Sequence, residues 1–466
     1  NGNFFIAKYD SSGNVIWAKG ATATGTCTGT GIKQDEFGNC IAAGYYQSNI
    51  PISFDTITLV PIPGSVQSAF IVKYDSAGNV MWAKDAGEAD WIPGSFSVGV
   101  DASGSIFLTG TFADSTYLEK YDASGNLVFK KYYQGGNSFT PNVHPWSLAV
   151  DVIGDVYITG YFSATTLTFP PFSFTNTSSG FEIFTVKCDN SGNVIWAHSD
   201  GNYYSLYKPY ISCDAFGNSY VTGYFNGTLA MFGNITLTNA GLNDIFVVKY
   251  NPQGNVAWAK RAGGTNFDDG NGIVTDEAGN SYVTGMYRGT ATFGSFILSH
   301  PNDPEIFVAK YDSAGNVLWA KSAGGSDVDQ GWGIGLDLAS NCYISGNFFS
   351  STAAFGPVSV LNSATTFYPS EIFVAKLSRS ITTSDNLIMD PGEILTYPNP
   401  VHDNLTITSK EEMIQILLFD ISGREISNNE ASGNEFAMHN LRLTPGIYFV
   451  KIITKKGYTY RKIEVF

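Results

Sequence analysis

The stretch Lys8–Lys19 reads KYDSSGNVIWAK, and it decides the fold because the chain repeats it. Related stretches start at Lys73, Lys120, Lys187, Lys249 and Lys310, and a shortened one, FVAKL, ends at Leu377. The intervals between the aligned lysines lie between 47 and 67 residues. Self-similarity on this scale is typical of stacked supersecondary units, in which neighbouring units bury a common core.

One repeat, from Gly270 to Lys321, predicts four antiparallel strands, which we call A to D. GNGIVTD and SYVTGMY alternate with period two around the turn EAGN, and IFVAKYD and VLWAK are joined by SAGN. In the shared D-x-x-G-N pattern, Asp accepts hydrogen bonds from turn N–H groups and Gly supplies a positive φ. One A–B turn, DLASN, has Ser340 in place of this glycine, so we expect strain there.

Four such strands per repeat, without helical periodicity, predict an all-β chain with a β-propeller of four-stranded blades. The repeats provide six A–B pairs and seven C strands. Seven blades are favoured, with strands ahead of Asn1 completing one of them; six remain the alternative, with 4–19 completing the last blade. The aromatic residue of strand D is expected to wedge between blades (Trp17, Trp82, Phe129, Trp196, Trp258 and Trp319).

The loops of such a blade divide between two faces. A–B and C–D turns are short and uniform, whereas B–C and D–A connections lie on the opposite face and carry the variation in length. The 47-residue repeat nearly lacks a B–C excursion, so the blade itself does not need one. Variable loops on a rigid scaffold are where recognition usually resides.

Composition limits the partners and the chemistry. A formal net charge of −15 argues against nucleic acid, and no apolar run is long enough for a membrane-spanning helix. The five cysteines are an odd count without metal-ligand spacing, which favours buried free thiols; a Cys27–Cys40 disulfide is the alternative. No cofactor is predicted.

FVAKYDSAGNVLWAK together with DEAGNSYVTG resembles the bacterial SBBP-type β-propeller repeat. The resemblance extends over about 4–377 and implies the propeller fold, so residues 1–377 form the first predicted domain. It implies little about function.

After a polar linker, 378–394, residues 395–466 contain period-two strands that predict a small immunoglobulin-like β-sandwich. Its motifs resemble the type A C-terminal sorting domain of the Bacteroidota type IX secretion system. The residues that match are Tyr397, Pro398, Asn399, Pro400, Gly423, Gly446, Tyr448, Lys451, Lys462 and Val465. The resemblance implies export across the outer membrane to the cell surface or the medium. The implied partners are the translocon, its outer-membrane shuttle and a sortase-like protease.

The same lineage resemblance suggests O-glycosylation at Asp-Ser/Thr triplets. The candidates are Thr56, Ser76, Ser115 and Ser313. Two of them, Ser76 and Ser313, also lie in C–D turns, where ordinary hairpin chemistry explains the same residues equally well.

The D–A connections contain the candidate ligand face. Its residues are Trp91, Trp146, Tyr203, Tyr204, Tyr207, Phe267, Asp268, Asp269, Asp327, Asp329 and Trp332. Aromatic faces beside carboxylates suit stacking on sugars, with Ca²⁺ as another occupant.

No catalytic residue is predicted, because the recurring turn aspartates are explained as turn caps and no catalytic motif occurs. We therefore expect a secreted or cell-surface, non-enzymatic propeller that binds glycans or proteins. The alternatives are a polysaccharide hydrolase or lyase and a structural component of the surface layer.

Overall fold

The computed structural model describes residues 4–465 except 24, 48–49, 62–66, 90–95, 113–114, 136–141, 177–179, 202–205, 338–339, 365–369, 379–386, 389–393, 421–424 and 455–456. Every regular element in this part of the chain is a β-strand, as predicted. Accordingly, the described residues include no helix with the length and apolarity needed to cross a membrane.

The chain begins with a hairpin and three blades. The hairpin is β1 (Phe5–Tyr9) and β2 (Val15–Gly20). Blade one is β3 (Cys27–Gln34), β4 (Cys40–Gln47), the short β5 (Ile52–Phe54) and β6 (Ile57–Leu59), β7 (Gln67–Tyr74) and β8 (Val80–Ala89). Blade two is β9 (Ser97–Val100), β10 (Ile106–Phe112), β11 (Ser115–Tyr121) and β12 (Leu127–Gly135). Blade three is β13 (Val143–Val150), β14 (Val156–Phe162), β15 (Thr166–Phe169), β16 (Phe172–Thr175), β17 (Glu182–Cys188) and β18 (Val194–Asp200).

Three further blades follow. Blade four is β19 (Leu206–Cys213), β20 (Ser219–Phe225), β21 (Leu229–Phe232), β22 (Ile235–Thr238), β23 (Asp244–Tyr250) and β24 (Val256–Gly264). Blade five is β25 (Asp269–Thr275), β26 (Ser281–Phe293), β27 (Phe296–Tyr311) and β28 (Val317–Ala323). Blade six is β29 (Asp329–Leu336), β30 (Cys342–Phe348), β31 (Thr352–Phe355), β32 (Val358–Leu361) and β33 (Glu371–Leu377).

The D-x-x-G-N turns have the geometry expected of them. In the first A–B turn, the Asp35 carboxylate accepts the N–H groups of Phe37 and Asn39 at 3.0 and 2.9 Å, and Gly38 has a φ of 78°. The same capping recurs at the other turns. Ser340 takes a φ of 58° at the position where the other A–B turns have glycine, which is the left-handed backbone that a side chain disfavours.

The strand-D tryptophans join consecutive blades. Trp258 of blade four donates its indole N–H to the carbonyl of Ser313, 3.1 Å away in the C–D turn of blade five. In the same turn, a Cβ atom added to Gly315 would lie 2.7 Å from Cδ2 of Trp258, so the indole packs directly on this glycine. Trp17, Trp82 and Trp196 make the same contacts with the blade that follows. The repeated glycine therefore serves both its own turn and the joint to the preceding blade.

The A–B turns supply a second joint on the same face of the ring. The Tyr220 hydroxyl lies 2.9 Å from the Asp214 carboxylate of its own blade and 3.0 Å from the Gly279 carbonyl of the next. Tyr157 repeats this arrangement with Gly217. In these two turns the aspartate is thereby tied, through the tyrosine, to the neighbouring blade, in keeping with a structural role.

The B–C excursions are small hairpins that pair with the preceding blade. In blade three, β15 pairs with β12 of blade two through Gln134–Thr168 and Gly135–Leu167, and in blade five β26 pairs with β24 through Gly263–Thr292. Phe54, Phe169, Phe232 and Phe293 are fully buried on these hairpins. The excursions are thus part of the ring's packing, which leaves the D–A connections as the freer variable segments.

The initial hairpin belongs to a seventh blade. Among the described residues β33 pairs with β30 and β1 pairs with β2, so the hairpin is not part of the sheet of blade six. The Lys376 ammonium lies 3.5 Å from the Ser11 carbonyl, matching the contact from Lys249 of blade four to Ser313 of blade five. β1 and β2 are therefore the C and D strands of a blade that follows blade six around the ring.

The C-terminal residues form the predicted sandwich. Its strands are β34 (Leu387–Ile388), β35 (Ile394–Tyr397), β36 (Leu405–Ser409), β37 (Met413–Asp420), β38 (Glu425–Glu430), β39 (Glu435–Met438), β40 (Gly446–Thr454) and β41 (Gly457–Val465). One sheet has the order β34-β41-β40-β37-β38 and the other β35-β36-β39. Leu405, Ile407, Ile416, Val450 and Ile463 are buried in a common core.

All five cysteines are free thiols. The alternative Cys27–Cys40 disulfide is therefore absent; the two residues lie at opposite ends of the β3–β4 pair, where Cys27 faces Tyr46 and Cys40 faces Gln34. Burial raises the pKa of the Cys27 thiol to about 12.

Because Trp258 packs on Gly315, replacing the turn glycine by alanine should destabilise the protein more at Gly315 than at Gly13, which occupies the equivalent position of another C–D turn. Gly315→Ala and Gly13→Ala impose similar backbone strain, since φ is 83° and 88°, but the Cβ direction of Gly13 meets no atom within 4 Å. We expect Gly13→Ala to lower the free energy of unfolding by about 1 kcal/mol. Gly315→Ala should lose a further ~1–3 kcal/mol by overpacking against Trp258. Equilibrium urea unfolding measures both, and equal losses would contradict the joint.

Candidate functional site

The A strands form the wall of a central channel. Those of neighbouring blades contact one another around the ring, from β3 through β9, β13, β19 and β25 to β29. Most of these strands contain a register shift that leaves one residue or two out of the pairing, among them Thr30, Trp146, Lys208, Asn271 and Trp332. Such bulges redirect a side chain without ending the strand.

Three of these residues meet across the channel. The Lys208 ammonium of blade four lies 6.0 Å from the centroid of the Trp146 ring and 5.5 Å from that of Trp332. Blades four and six are separated by blade five, so the contact with Trp332 crosses the inside of the ring. Cation–π attraction of this kind favours an ammonium between two indoles.

Two polar groups complete the site. Tyr210 packs edge-on against Trp146 with 6.4 Å between ring centroids. Asp269 accepts a hydrogen bond from the Asn243 amide at 2.8 Å; burial raises the pKa of its carboxyl, and the charge of Lys208 opposes that rise. We call Trp146, Lys208, Tyr210, Asp269 and Trp332 the channel cluster.

The cluster is accessible and partly anchored. Trp332 is 38% exposed and Trp146 is half-buried. The indole N–H of Trp332 donates to the Asn347 side chain at 2.6 Å, which orients the ring. An aromatic face with a fixed orientation and open access is suited to stacking on a ligand.

The predicted ligand-face residues have several locations. Trp146, Asp269 and Trp332 belong to the channel cluster, whereas Phe267 and Asp327 are exposed outside it. Trp91, Tyr203 and Tyr204 lie outside the described residues, as does the side chain of Tyr207. Sequence reasoning missed Lys208, although Lys-Pro at the position where other repeats have Gly-Asn or Gly-Trp was the available signal.

The remaining two acids, Asp268 and Asp329, are fully buried in joints between blades. The carboxyls of Glu305 and Asp329 both lie beside Gly324. A Cβ atom added to this glycine would be 2.2 Å from the nearest Glu305 oxygen and 2.7 Å from the nearest Asp329 oxygen. In the equivalent joint between blades four and five, the carboxyls of Asp244 and Asp268 both lie beside Gly263.

The two carboxyls of the Glu305–Asp329 joint differ in their hydrogen bonding. Asp329 accepts from Gly325 N–H at 2.6 Å, from the Ser350 hydroxyl at 2.7 Å and from Phe349 N–H at 3.1 Å. Oε1 of Glu305 accepts no hydrogen bond from the part of the chain that the structure describes and lies 3.4 Å from His300 Nε2, although the Gly325 N–H also acts on this carboxyl. Burial, reinforced by the Asp329 charge, raises the pKa of Glu305 to about 8. Burial likewise raises the pKa of Asp268 to about 7.

The predicted sorting residues lie partly on the surface and partly in the sandwich core. Tyr397 is exposed, while Tyr448 and Val465 are buried. Asn399 accepts the N–H of Glu464 at 2.9 Å, so the Tyr397–Pro400 segment is held against the last strand. Burial lowers the pKa of Lys451. Gly423 and the side chain of Lys462 lie outside the described residues.

Three of the glycosylation candidates, Thr56, Ser76 and Ser313, are exposed and Ser115 is half-buried. The carbonyls of Ser76 and Ser313 accept the tryptophan N–H groups of the blade joints.

Family models match two parts of the chain. Residues 257–286 match a β-propeller repeat, SBBP, and residues 395–465 match the secretion system C-terminal sorting domain. The chain therefore combines SBBP-type propeller repeats with a sorting domain of the type IX secretion system. By this sorting domain the protein is exported to the cell surface or the extracellular space.

A curated relative is the uncharacterized WD repeat-containing protein L264 of Acanthamoeba polyphaga mimivirus, with 25% identity over 74% of this chain. The chain spans about a third of that relative's length, 31%.

Similar solved structures have low TM-scores. PorZ, an essential surface component of the type IX secretion system of Porphyromonas gingivalis, has 13% identity and a TM-score of 0.34, covering 93% of this chain and 59% of its own. A protein of unknown function from Bacteroides caccae has 10% identity and a TM-score of 0.36, covering 69% and 94%. The gluconolactonase XC5397 of Xanthomonas campestris has 13% identity and a TM-score of 0.31, covering 69% and 93%.

The Glu305–Asp329 joint predicts a pH dependence of stability. Because the folded-state pKa of Glu305 is raised to about 8 from 4.5, its contribution is fully present below pH 4.5 and is lost as pH rises through 8. Glu305→Gln stays neutral, so it should match the parent at pH 5 and exceed its free energy of unfolding by roughly 1–3 kcal/mol at pH 9.

Asp329→Asn is the matched control, since it replaces the carboxylate that accepts the surrounding donors. We expect this variant to be destabilised at both pH values. Urea unfolding at pH 5 and pH 9 measures the four differences. An equal effect of Glu305→Gln at both pH values would contradict a neutral Glu305 at pH 5.

Proposed function

We propose that the protein is a non-enzymatic surface propeller that binds carbohydrate through the channel cluster. The observation that supports this most directly is the pair of indoles, Trp146 and Trp332, whose ring centroids both lie within 6.0 Å of the Lys208 ammonium. Stacking of sugar C–H faces on indoles supplies apolar contact, and the ammonium of Lys208 and the carboxylate of Asp269 suit the hydroxyl or acidic groups of a sugar.

The position of the cluster also supports binding rather than a purely packing role. Strand-D tryptophans such as Trp196, 5% exposed, are enclosed between blades, whereas Trp332 is 38% exposed. Burial of an exposed indole by a ligand gains free energy that a packed indole has already gained on folding.

The distribution of acids favours binding over hydrolysis. General acid catalysis needs a neutral carboxyl within hydrogen-bond reach of the substrate. Glu305 and Asp268, whose pKa values are raised toward neutrality, are 4% and 0% exposed and point into blade joints. They lie outside the channel cluster, which contains one carboxyl, Asp269, whose pKa burial also raises, whereas glycoside hydrolysis ordinarily uses two carboxyls.

A glycan array probed with the full chain tests the binding proposal, followed by titration of each hit. Trp332→Ala should weaken binding about tenfold or more, because loss of one aromatic anchor commonly costs over 1.4 kcal/mol. Phe267→Ala is the matched control: Phe267 is 41% exposed and lies outside the cluster, so affinity should persist.

Each outcome separates the alternatives. Equal losses in the two variants, or none in either, would refute the channel cluster as the site. Release of shorter oligosaccharides from a hit would replace the binding proposal with a polysaccharide hydrolase or lyase. An array without hits on a folded chain would instead favour a structural surface component.

For export, we propose that the translocon, its outer-membrane shuttle and a sortase-like protease engage the sorting domain in turn. Deletion of residues 395–466 should retain the propeller inside the cell envelope, which fractionation and immunoblotting measure. The Trp332→Ala full chain is the control and should be exported normally. Unchanged export of the deletion variant would contradict a sorting role.

A further inference from the structure

Blade four has a phenylalanine at the tip of its A–B turn whose exposure differs from that of its counterpart. Phe216 is the third residue of the turn DAFGN, and Phe37 is the third residue of DEFGN in blade one. Phe37 is 76% exposed, whereas Phe216 is half-buried. Because the two turns have the same pattern, the repeat by itself does not account for the burial of Phe216.

Two phenylalanines of the sorting domain pack on Phe216. The centroid of its ring lies 6.3 Å from that of Phe419 on β37 and 5.9 Å from that of Phe449 on β40. Both pairs are edge-to-face, which is a favoured geometry for aromatic rings at these distances. Phe419 and Phe449 are paired across the two strands, so they offer one aromatic surface to the turn.

The burial of Phe449 agrees with a cover from outside the sandwich. Along β40, Tyr448, Val450 and Ile452 belong to the core of the sandwich. Phe449 alternates with them and therefore points to the outer face of the sheet. An outer-face residue is ordinarily open to solvent, yet Phe449 is only 2% exposed. Phe216 of the propeller is one of the rings that close it off.

A pair of opposite charges supports the same placement. Desolvation raises the pKa of Glu277, in the A–B turn of blade five, and the charge of Arg461 on β41 opposes that rise. The Arg461 guanidinium is anchored within the sandwich, since it donates to the Ile394 carbonyl at 2.9 Å. Attraction between a carboxylate of one domain and a guanidinium of the other favours one docked orientation.

We propose that the A–B turns of blades four and five form a docking surface for the protein's own sorting domain, centred on Phe216 against Phe419 and Phe449. In the docked chain, a protein that binds the outer face of the sheet at Phe449 has to displace the propeller. Lys451, one of the predicted sorting residues, lies on this outer face two positions after Phe449. The consequence for sorting partners rests on the proposed export route, whereas the docking does not.

Crosslinking of the full chain tests the docking. Phe216→Cys and Phe419→Cys are combined and joined by a short bismaleimide, and a protease site inserted in the linker, 378–394, is then cut. We expect the sandwich to stay attached to the propeller on a denaturing gel. Phe37→Cys with Phe419→Cys is the matched control and should release the sandwich, as should the treated parent chain with its own five cysteines.

Three crosslinking results would overturn the proposal. They are release of the sandwich from the Phe216 pair, equal attachment in the Phe37 pair, and a crosslinked species of twice the chain mass. The last result would assign the contact to a second copy of the chain.

Hydroxyl-radical footprinting of the purified full chain tests what the contact covers. Phe216→Ser should raise the oxidation of Phe449 about threefold or more, because a covered ring reacts only when its contact opens. Serine stands at the same turn position in blade two, Ser103, so the turn accepts this substitution. Phe37→Ser is the control and should leave the oxidation of Phe449 unchanged. Tyr397, which is 47% exposed, is the internal reference for both variants.

The footprint separates undocking from unfolding and from self-cover. Unchanged oxidation of Phe449 in Phe216→Ser would mean that the sandwich covers this ring by itself, and it would overturn the proposal. If the oxidation of Tyr397 rises as well, the sandwich has lost its fold and the crosslinking result decides. Both measurements use purified protein, so export that continues without residues 395–466 would refute the sorting role alone, and a failed docking would leave that role to its own test.

Discussion

The ring depends on one contact, the packing of a strand-D aromatic ring on the turn glycine of the next blade. A left-handed turn needs glycine for its φ, and a flat indole needs a surface without a Cβ, so the same residue meets both requirements. Gly315 beneath Trp258 shows the arrangement, with the indole N–H also satisfying a turn carbonyl. Because the same phrase supplies an aromatic side chain to the following blade and a turn glycine to the preceding one, its repetition joins the hairpin of β1 and β2 and blades one to five in series.

On the opposite face of the ring, the contacts between blades are less regular, and they bury ionisable groups. Short B–C hairpins reach back to the preceding blade, and buried carboxyls such as Glu305 and Asp329 lie where these hairpins meet the D–A connections. Enclosing two acids in one joint keeps one of them neutral near neutral pH. The same face opens onto the channel cluster, so the variable side of the ring combines its least uniform packing with its most accessible aromatic groups.

Strands, turns and blade joints could be predicted from the sequence because they follow from local pattern. D-x-x-G-N defines a turn by itself, and alternation defines the strand that enters it. The candidate site could be predicted only in part. Trp146 and Trp332 stood out as aromatics in D–A segments, but Lys208 did not, and nothing local distinguished the buried Asp268 and Asp329 from the more accessible Asp269. Burial is a property of neighbouring blades and has no local sequence signal.

The sequence by itself therefore determined the repeat, the all-β blade, the change to a sorting sandwich after Leu377 and the export route that this sandwich specifies. Tertiary structure decided which side chains meet. Lys208 and Trp332 are over a hundred positions apart and are brought together by ring closure, as are β33 and β1 at the two ends of the propeller. The physical reason is range: turns and strands are set by neighbours along the chain, whereas a channel lined by several blades exists only once those blades are arranged around a common axis.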